Sequence, residues 1–256
     1  MIHLILLIII IIIIIVYILS INKKEKFTLN TLIPKVIYLT YKTKNIPDYI
    51  ISNLQTLYPK YEIKLYDNMD CIDFLRKEYD ETHVDIFNYI KDGPIKSDFW
   101  RVCILNKYGG IYSDIDIDHR IAIDEIIEDD TVFLTCISNN PKNINPHFLV
   151  STANNIVLQK CLEIYLEYYN SKKKYTYWGW SIVYIMQSVL NDILNITTFK
   201  ENIVINNNNK YQFLKEIMPF NILKLFMKND SSHYCKYKDQ IILYNRYEKY
   251  KNHNFI

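Results

Sequence analysis

Glycine is scarce in this chain, which limits the ways in which it can bind a phosphate-bearing ligand. Only 4 of the 256 residues are glycine. The sequence contains neither a G-x-G-x-x-G run nor a P-loop, the glycine-rich patterns whose backbone amides cradle phosphate groups. If the protein binds a nucleotide, its phosphates must therefore be handled through a metal ion.

An excess of one charge is also missing. The 30 Lys and Arg residues are scattered among 28 Asp and Glu residues, so the net charge is only +2. Nucleic-acid-binding domains usually carry a concentrated basic patch. The composition therefore predicts no nucleic-acid partner.

Cysteine is present but shows no recognised motif. The five cysteines, at positions 71, 103, 136, 161 and 235, form no C-x-x-C and no Cys/His zinc spacing. Buried free thiols are expected, and an odd number of widely separated cysteines favours a reducing compartment.

The N-terminal segment is almost purely apolar. Residues 2–21 are nearly uninterrupted isoleucine and leucine, about the 20 residues needed to cross a bilayer. The run lacks the charged start and small cleavage residues of a signal peptide. It predicts a transmembrane anchor over residues 1–22, a linker over 23–32 and one domain over 33–256.

The sequence indicates less clearly on which side of the membrane the domain lies. Lysines lie only on the C-terminal flank of the apolar run, which by the positive-inside rule places the domain in the cytosol. Two N-glycosylation sequons, at Asn195 and Asn229, would favour the ER or Golgi lumen. Both topologies stay open, with a slight lean to the cytosol.

Aspartate recurs at every second position in the run KYGGIYSDIDID, residues 107–118. The alternation predicts a strand over 110–117, with Asp114, Asp116 and Asp118 on one face and isoleucines on the other. In a strand, Asp114 and Asp116 would lie about 6.6 Å apart, where like charges repel unless a cation neutralises them. Mn²⁺ or Mg²⁺, which also bind phosphate oxygens, suit such a pair.

A plain solvated edge strand is the alternative interpretation. Aspartate is a poor strand former, however, and conflicts between local propensity and structure tend to mark functional sites.

A buried helix is predicted just before this strand. The segment from Ser97 to Tyr108 is mostly apolar and stops at Gly109-Gly110. Asp98 and Arg101 are three residues apart and share one helical face. They form either a structural ion pair or part of a cleft that binds a polyhydroxylated ligand.

These segments together resemble family 32 glycosyltransferases, which include mannosyl-inositolphosphoceramide synthases. SDFWR (97–101) followed by YGGIYSDID (108–116) is similar to the family's sugar-binding D-x-D region, and residues 33–43 and 57–67 are similar to two earlier family segments. The resemblance covers about residues 33–120. It implies an α/β, GT-A-type nucleotide-sugar-binding fold: a Rossmann-like mixed sheet with flanking helices.

The resemblance also implies a role for particular residues. Asp116 is the direct metal ligand, and Asp114 contacts the donor's ribose or sugar and the metal shell. Asp98 and Arg101 hold the donor sugar. Further implied contacts are Tyr112 near the donor, Tyr41 stacked on the base and His233 as a late metal ligand, although a surface histidine is the alternative for His233.

The function so implied is a metal-dependent, retaining glycosyltransferase. Mannose from GDP-mannose is the expected donor, and a glycan or inositol-phosphoceramide-like lipid is the expected acceptor. The alternatives are a UDP-sugar donor, a non-catalytic sugar-binding or scaffold protein, and a metal-dependent phosphodiesterase.

Overall fold

Strands and helices are interspersed along the described residues, and strands outnumber helices in the later part. The computed structural model describes residues 32–218 and 233–245, all within one unit, Leu32–Ile256. The predicted anchor and most of the predicted linker lie outside the described residues. Within the described ranges, no helix is both long and apolar enough to cross a membrane.

Seven α-helices are present in the described residues. They are α1 (Asp48–Leu57), α2 (Asn68–Glu78), α3 (Glu81–Tyr89), α4 (Gly93–Tyr108), α5 (Ile156–Asn170), α6 (Tyr177–Trp180) and α7 (Ile182–Leu194).

Ten strands form one mixed sheet in the same ranges. They are β1 (Val36–Thr40), β2 (Glu62–Tyr66), β3 (Gly110–Ser113), β4 (Ile117–His119), β5 (Thr131–Ile137), β6 (Ile144–Ser151), β7 (Ile203–Asn206), β8 (Asn209–Ile217), β9 (His233–Tyr237) and β10 (Gln240–Asn245).

The strand order is β2-β1-β3-β6-β5-β8-β9-β10-β4, and β7 pairs with β8. β1 runs parallel to β2 and β3, and β5 runs parallel to β8, whereas the other pairs are antiparallel. The α/β class with a mixed sheet and flanking helices, predicted from the sequence, is confirmed at this level.

The sheet curls so that its last strand returns to its middle. β3 lies third in the strand order and β4 lies at the far edge, yet only residues 114–116 separate them. The step from Ser113 to Ile117 can span at most about 14 Å of extended chain. Ser113 Oγ is accordingly 2.9 Å from His119 Nε2. The short connection therefore requires the edge of the sheet to fold back over β3.

The largest apolar core lies between the sheet and helices α4, α5 and α7. Phe99, Trp100 and Leu105 of α4 are fully buried there, as are Tyr165 of α5 and Met186 of α7. Because α4 is buried on nearly all sides, it is a rigid support for the polar residues that it carries.

Of the two elements predicted around the aspartates, the helix is present and the strand is only partly correct. α4 ends at Tyr108, as predicted, and begins at Gly93, four residues before the predicted start. The predicted strand over 110–117 is broken, because β3 ends at Ser113 and β4 begins at Ile117.

Candidate active site

Asp114 and Asp116 lie in a tight turn and not in a strand. The Asp114 N–H still donates to His147 O of β6 at 2.9 Å, but Ile117 N–H then donates back to Asp114 O at 3.2 Å. That bond between residues i and i+3 closes a β-turn. Aspartate favours turns over strands, which explains why the alternating pattern breaks here.

The turn opens into a cleft of about 650 Å³. Six of the residues predicted for the site line this cleft: Tyr41, Arg101, Tyr112, Asp114, Asp116 and His233. They come from the end of β1, from α4, from β3 and its following turn, and from the start of β9. Asp98 is not among the lining residues, and Asp118 lies on β4 with its carboxylate 3.4 Å from Arg120.

Arg101 fixes the position of Asp114. Its side chain is only 4% exposed, and its Nη2 lies 3.0 Å from Asp114 Oδ1. Nη1 donates to Pro146 O at 2.6 Å and Nε donates to Ser97 O at 3.2 Å. A guanidinium can serve several acceptors at once because its donors are held in a rigid fork.

Tyr112 contacts the same carboxylate oxygen. Its hydroxyl donates to Asp114 Oδ1 at 2.8 Å, and its ring lies under the Arg101 guanidinium at 4.3 Å. Both contacts converge on Oδ1 of Asp114. The second carboxylate oxygen is therefore the one available to a ligand in the cleft.

Asp98 lies behind Arg101. Its Oδ1 is 3.2 Å from Arg101 Nη2, and its Oδ2 accepts from Ser181 Oγ at 3.3 Å and from Ile182 N–H at 3.2 Å. Burial raises the pKa of Asp98 to about 6, although the neighbouring Arg101 acts in the opposite direction. Asp98 therefore joins α4 to the N-terminus of α7.

The electrostatics of Asp116 favour a cation. Burial raises the pKa of Asp116 to about 6, and the charge of Asp114 adds to the effect. A carboxylate whose ionised form is disfavoured by burial and by a like charge is stabilised when a cation binds between the two groups.

The remaining predicted residues, Tyr41 and His233, also line the cleft. Tyr41 follows β1, and its N–H donates to Tyr66 O at 3.1 Å, which extends the β1–β2 ladder by one residue. His233 is the first residue of β9, and its Nε2 is 3.6 Å from the buried Glu216 Oε1. Neither contact tests the predicted roles in base stacking or metal binding.

Several other residues that were not predicted for the site also line the cleft. Lys42 and Lys96 add positive charge to it, and Asn145, His147 and Tyr177 contribute to its wall. The Lys96 ammonium lies 4.6 Å from the Phe87 ring centroid. Lys96 directly precedes SDFWR and Lys42 directly follows Tyr41, so both had a local signal. The other three become neighbours of the turn only through the tertiary fold.

The class of this region follows from its match to a family. Residues 38–133 match the family model described as "Glycosyltransferase sugar-binding region containing DXD motif". This stretch contains the turn, both aspartates, Arg101, Tyr112 and Asp98. The resemblance expected from the sequence is confirmed over this part of the chain.

Particular relatives agree with that class. The chain is 36% identical to "Mannosyl phosphorylinositol ceramide synthase SUR1" of Saccharomyces cerevisiae over 99 residues. This aligned stretch covers 38% of this chain and 26% of the relative. The chain is 32% identical over 100 residues to "Inositol phosphoceramide mannosyltransferase 3" of Schizosaccharomyces pombe, covering 37% and 27%. The matches thus span about a quarter of these relatives.

Among solved structures, the chain is similar to "PaToxG Glycosyltransferase". The sequence identity is 18%, the TM-score is 0.48, and the alignment covers 62% of this chain and 68% of the other.

Proposed function

We propose that this protein is a metal-dependent, retaining glycosyltransferase with a GT-A-type fold that transfers a hexose from a nucleoside diphosphate sugar. The observation that carries the proposal is the pair Asp114 and Asp116 opening into a cleft beside Arg101 and Tyr112. This pair lies inside the region that matches the glycosyltransferase family.

The residues of the turn fit a hard divalent cation, Mn²⁺ or Mg²⁺. Asp116 would be the direct ligand and Asp114 would share the metal shell, with His233 a third candidate that also lines the cleft. Oxygen ligands from one or two carboxylates, completed by water and phosphate, are what these ions prefer. When bound, the cation would neutralise the negative charge that develops on the departing nucleoside diphosphate.

Arg101 and its neighbours would keep the site in a reactive geometry. The ion pair with Asp114 and the bond from Tyr112 hold one carboxylate oxygen, so the turn needs little rearrangement when the donor binds. Asp98, predicted from the sequence to bind the sugar, would act through Arg101, because its Oδ1 pairs with Arg101 and its Oδ2 accepts bonds at the start of α7. Lys42 and Lys96 would attract the diphosphate.

The donor and acceptor are proposed from the relatives. Their names specify mannosyl transfer to an inositol phosphoceramide, so GDP-mannose is the favoured donor and an inositol-phosphoceramide-like lipid or a glycan is the favoured acceptor. Tyr41 would stack on the base, since tyrosine keeps a flat aromatic face. We further propose that residues 33–256 are one catalytic domain held at a membrane by residues 1–22.

A donor panel tests the proposal. The full-length chain in mild detergent would be incubated with GDP-mannose or UDP-sugars and Mn²⁺ or Mg²⁺, and release of the nucleoside diphosphate would be measured. Turnover should require the metal and stop with EDTA. Asp116→Asn should lower turnover about 10²–10³-fold, the usual effect of removing a group that stabilises transition-state charge.

Asp118→Asn is the matched control, because Asp118 is two residues further along and lies outside the cleft. It should retain turnover within about threefold, as expected for a residue that makes no transition-state contact. If a UDP-sugar is turned over and GDP-mannose is not, the proposed donor becomes that UDP-sugar. Metal-dependent donor binding without turnover would favour a sugar-binding protein, and absence of both would contradict the proposal.

A further inference from the structure

Three strands bring together a buried cluster of two thiols and an imidazole. Cys136 of β5, His147 of β6 and Cys235 of β9 are all buried, and their potential ligand atoms all lie within 4.8 Å of one another. The sequence shows no zinc spacing here, because the three residues are brought into proximity by strand pairing and not by a local loop.

The spacing of the cluster agrees with tetrahedral zinc. Zn–S bonds of about 2.3 Å and Zn–N bonds of about 2.0 Å place a sulfur and a nitrogen ligand about 3.6 Å apart. Cys235 Sγ lies 3.5 Å from His147 Nε2. A bound ion would therefore require little movement of these two side chains.

The polar groups of His147 are poorly satisfied by the protein. The residue is 5% exposed, and its Nδ1 is buried with no hydrogen-bond partner in the described ranges. A thiol is only a weak hydrogen-bond partner for the other nitrogen. Nε2, whose protein partner is only this weak thiol contact, is therefore the nitrogen that a metal ion could take as a ligand.

We propose that Cys136, His147 and Cys235 bind a Zn²⁺ ion that is separate from the hard cation at the aspartate turn. Two thiolates neutralise the charge of Zn²⁺, so the bound cluster can remain buried at low electrostatic cost. Sulfur and imidazole ligands favour zinc over Mn²⁺ or Mg²⁺, whereas Asp114 and Asp116 have the opposite preference. Three protein ligands leave a fourth position for water.

The site would stabilise the strand that holds the aspartate turn. The backbone carbonyl of His147 accepts the Asp114 N–H, and the preceding Pro146 carbonyl accepts from Arg101. A metal bond to His147 would fix β6 against β5 and β9. The zinc would therefore hold these strands together, and it would be retained whether or not the chain transfers a sugar.

Metal analysis of the wild-type chain is the first test. The full-length protein would be expressed with zinc, kept reduced, desalted, and measured by elemental analysis and zinc-edge X-ray absorption. We expect about one zinc per chain, with two sulfur ligands at about 2.3 Å and a nitrogen shell at about 2.0 Å. Cobalt substitution should give thiolate-to-metal charge-transfer absorption.

Substitutions of the proposed cysteine ligands test where the zinc ion binds. Cys136→Ser and Cys235→Ser should each reduce zinc affinity at least about tenfold, because each removes a direct ligand. Cys161→Ser is the matched control, since Cys161 is a buried free cysteine on α5, and it should retain zinc. Asp116→Asn should also retain zinc.

Three outcomes would overturn the proposal. The first is a wild-type chain without zinc, including one in which Cys136 and Cys235 have oxidised to a disulfide. The second is an absorption spectrum with only oxygen and nitrogen ligands, which would place the ion at the aspartates. The third is a folded Cys136→Ser variant whose zinc affinity equals that of the wild type. Because the absorption spectrum uses the wild-type protein, the test does not depend on a variant that folds.

Discussion

Arg101 makes four polar contacts while almost fully buried, to Asp114, Asp98 and the carbonyls of Ser97 and Pro146. A surface arginine of the same chain, Arg76, pairs with the exposed carboxylates of Asp73 and Glu81. The two residues have the same chemistry in opposite environments, which permits a controlled comparison.

Arg101→Lys should destabilise the fold and lower activity. A single ammonium keeps the charge but cannot serve all four acceptors, and a buried acceptor left without a donor costs about 1–3 kcal/mol. Urea unfolding and donor turnover would measure both effects. Arg76→Lys should change the unfolding free energy by no more than about 0.5 kcal/mol. Equal effects of the two substitutions would contradict this assignment.

His119 makes the stability of the fold depend on pH. Burial lowers its pKa to about 3, and its ring nitrogens contact Tyr58 Oη at 2.8 Å and Ser113 Oγ at 2.9 Å. The unfolded chain protonates this histidine near its ordinary pKa of about 6.5. Between these values the unfolded state binds more protons, so stability is fully present above about pH 6.5 and falls as the pH decreases.

The loss attributable to His119 between pH 7 and pH 5 should be about 2 kcal/mol. His119→Gln should be less stable at pH 7 but should lose less on acidification, as measured by urea unfolding at each pH. Tyr58→Phe removes a hydrogen bond but keeps the histidine, so its pH dependence should match the wild type. Parallel curves for wild type and His119→Gln would refute the explanation.

Among the elements, the junction of α4 and β3 has the strictest backbone requirement. Gly109 ends α4, its N–H donates to Leu105 O at 2.8 Å, and its φ is +66°. A Cβ at this position would lie 2.6 Å from Ala153 N and 2.9 Å from Ser151 O. Only glycine can therefore connect the buried helix to the strand that precedes the aspartate turn.

Gly109→Ala should reduce the unfolding free energy by about 1–3 kcal/mol, through backbone strain and overpacking. Gly93→Ala is the matched control, because a Cβ there meets nothing within 4 Å. That control should stabilise the protein slightly or leave it unchanged. Thermal unfolding would compare the stability of both variants with that of the wild type. A Gly109→Ala protein as stable as the wild type would show that the backbone at the junction can adjust to a side chain.

The junction also illustrates what the sequence could predict. Helix α4, its end at the glycine pair and the shared face of Asp98 and Arg101 follow from local patterns, and the structure contains all three. The turn at residues 114–117 could not be distinguished from a strand in the sequence, because aspartate and isoleucine continue to alternate through it. Its hydrogen bond to β6 depends on a strand more than thirty residues away.

At the scale of the whole molecule, the curl of the sheet assembles what the sequence keeps apart. β4 follows the turn immediately, yet it pairs with β10 near the end of the chain. The same curl brings His147 to the cleft and places Cys136 and Cys235 beside it. No local spacing predicts these neighbours, since contacts between strands depend on the order of the entire sheet.

Because the proposed donor site joins distant parts of the sheet, metal and donor together should stabilise the folded chain as a whole. A ligand at 100 times its dissociation constant adds about 2.7 kcal/mol of stability. For a domain of this size, that corresponds to a rise in melting temperature of roughly 5–10 °C. Differential scanning fluorimetry with Mn²⁺ and GDP-mannose, together and separately, would measure it. Asp118→Asn should show the same rise and Asp116→Asn should not, because Asp116 is the proposed direct metal ligand and Asp118 lies outside the cleft. An equal rise in both variants would place the binding site elsewhere on the sheet.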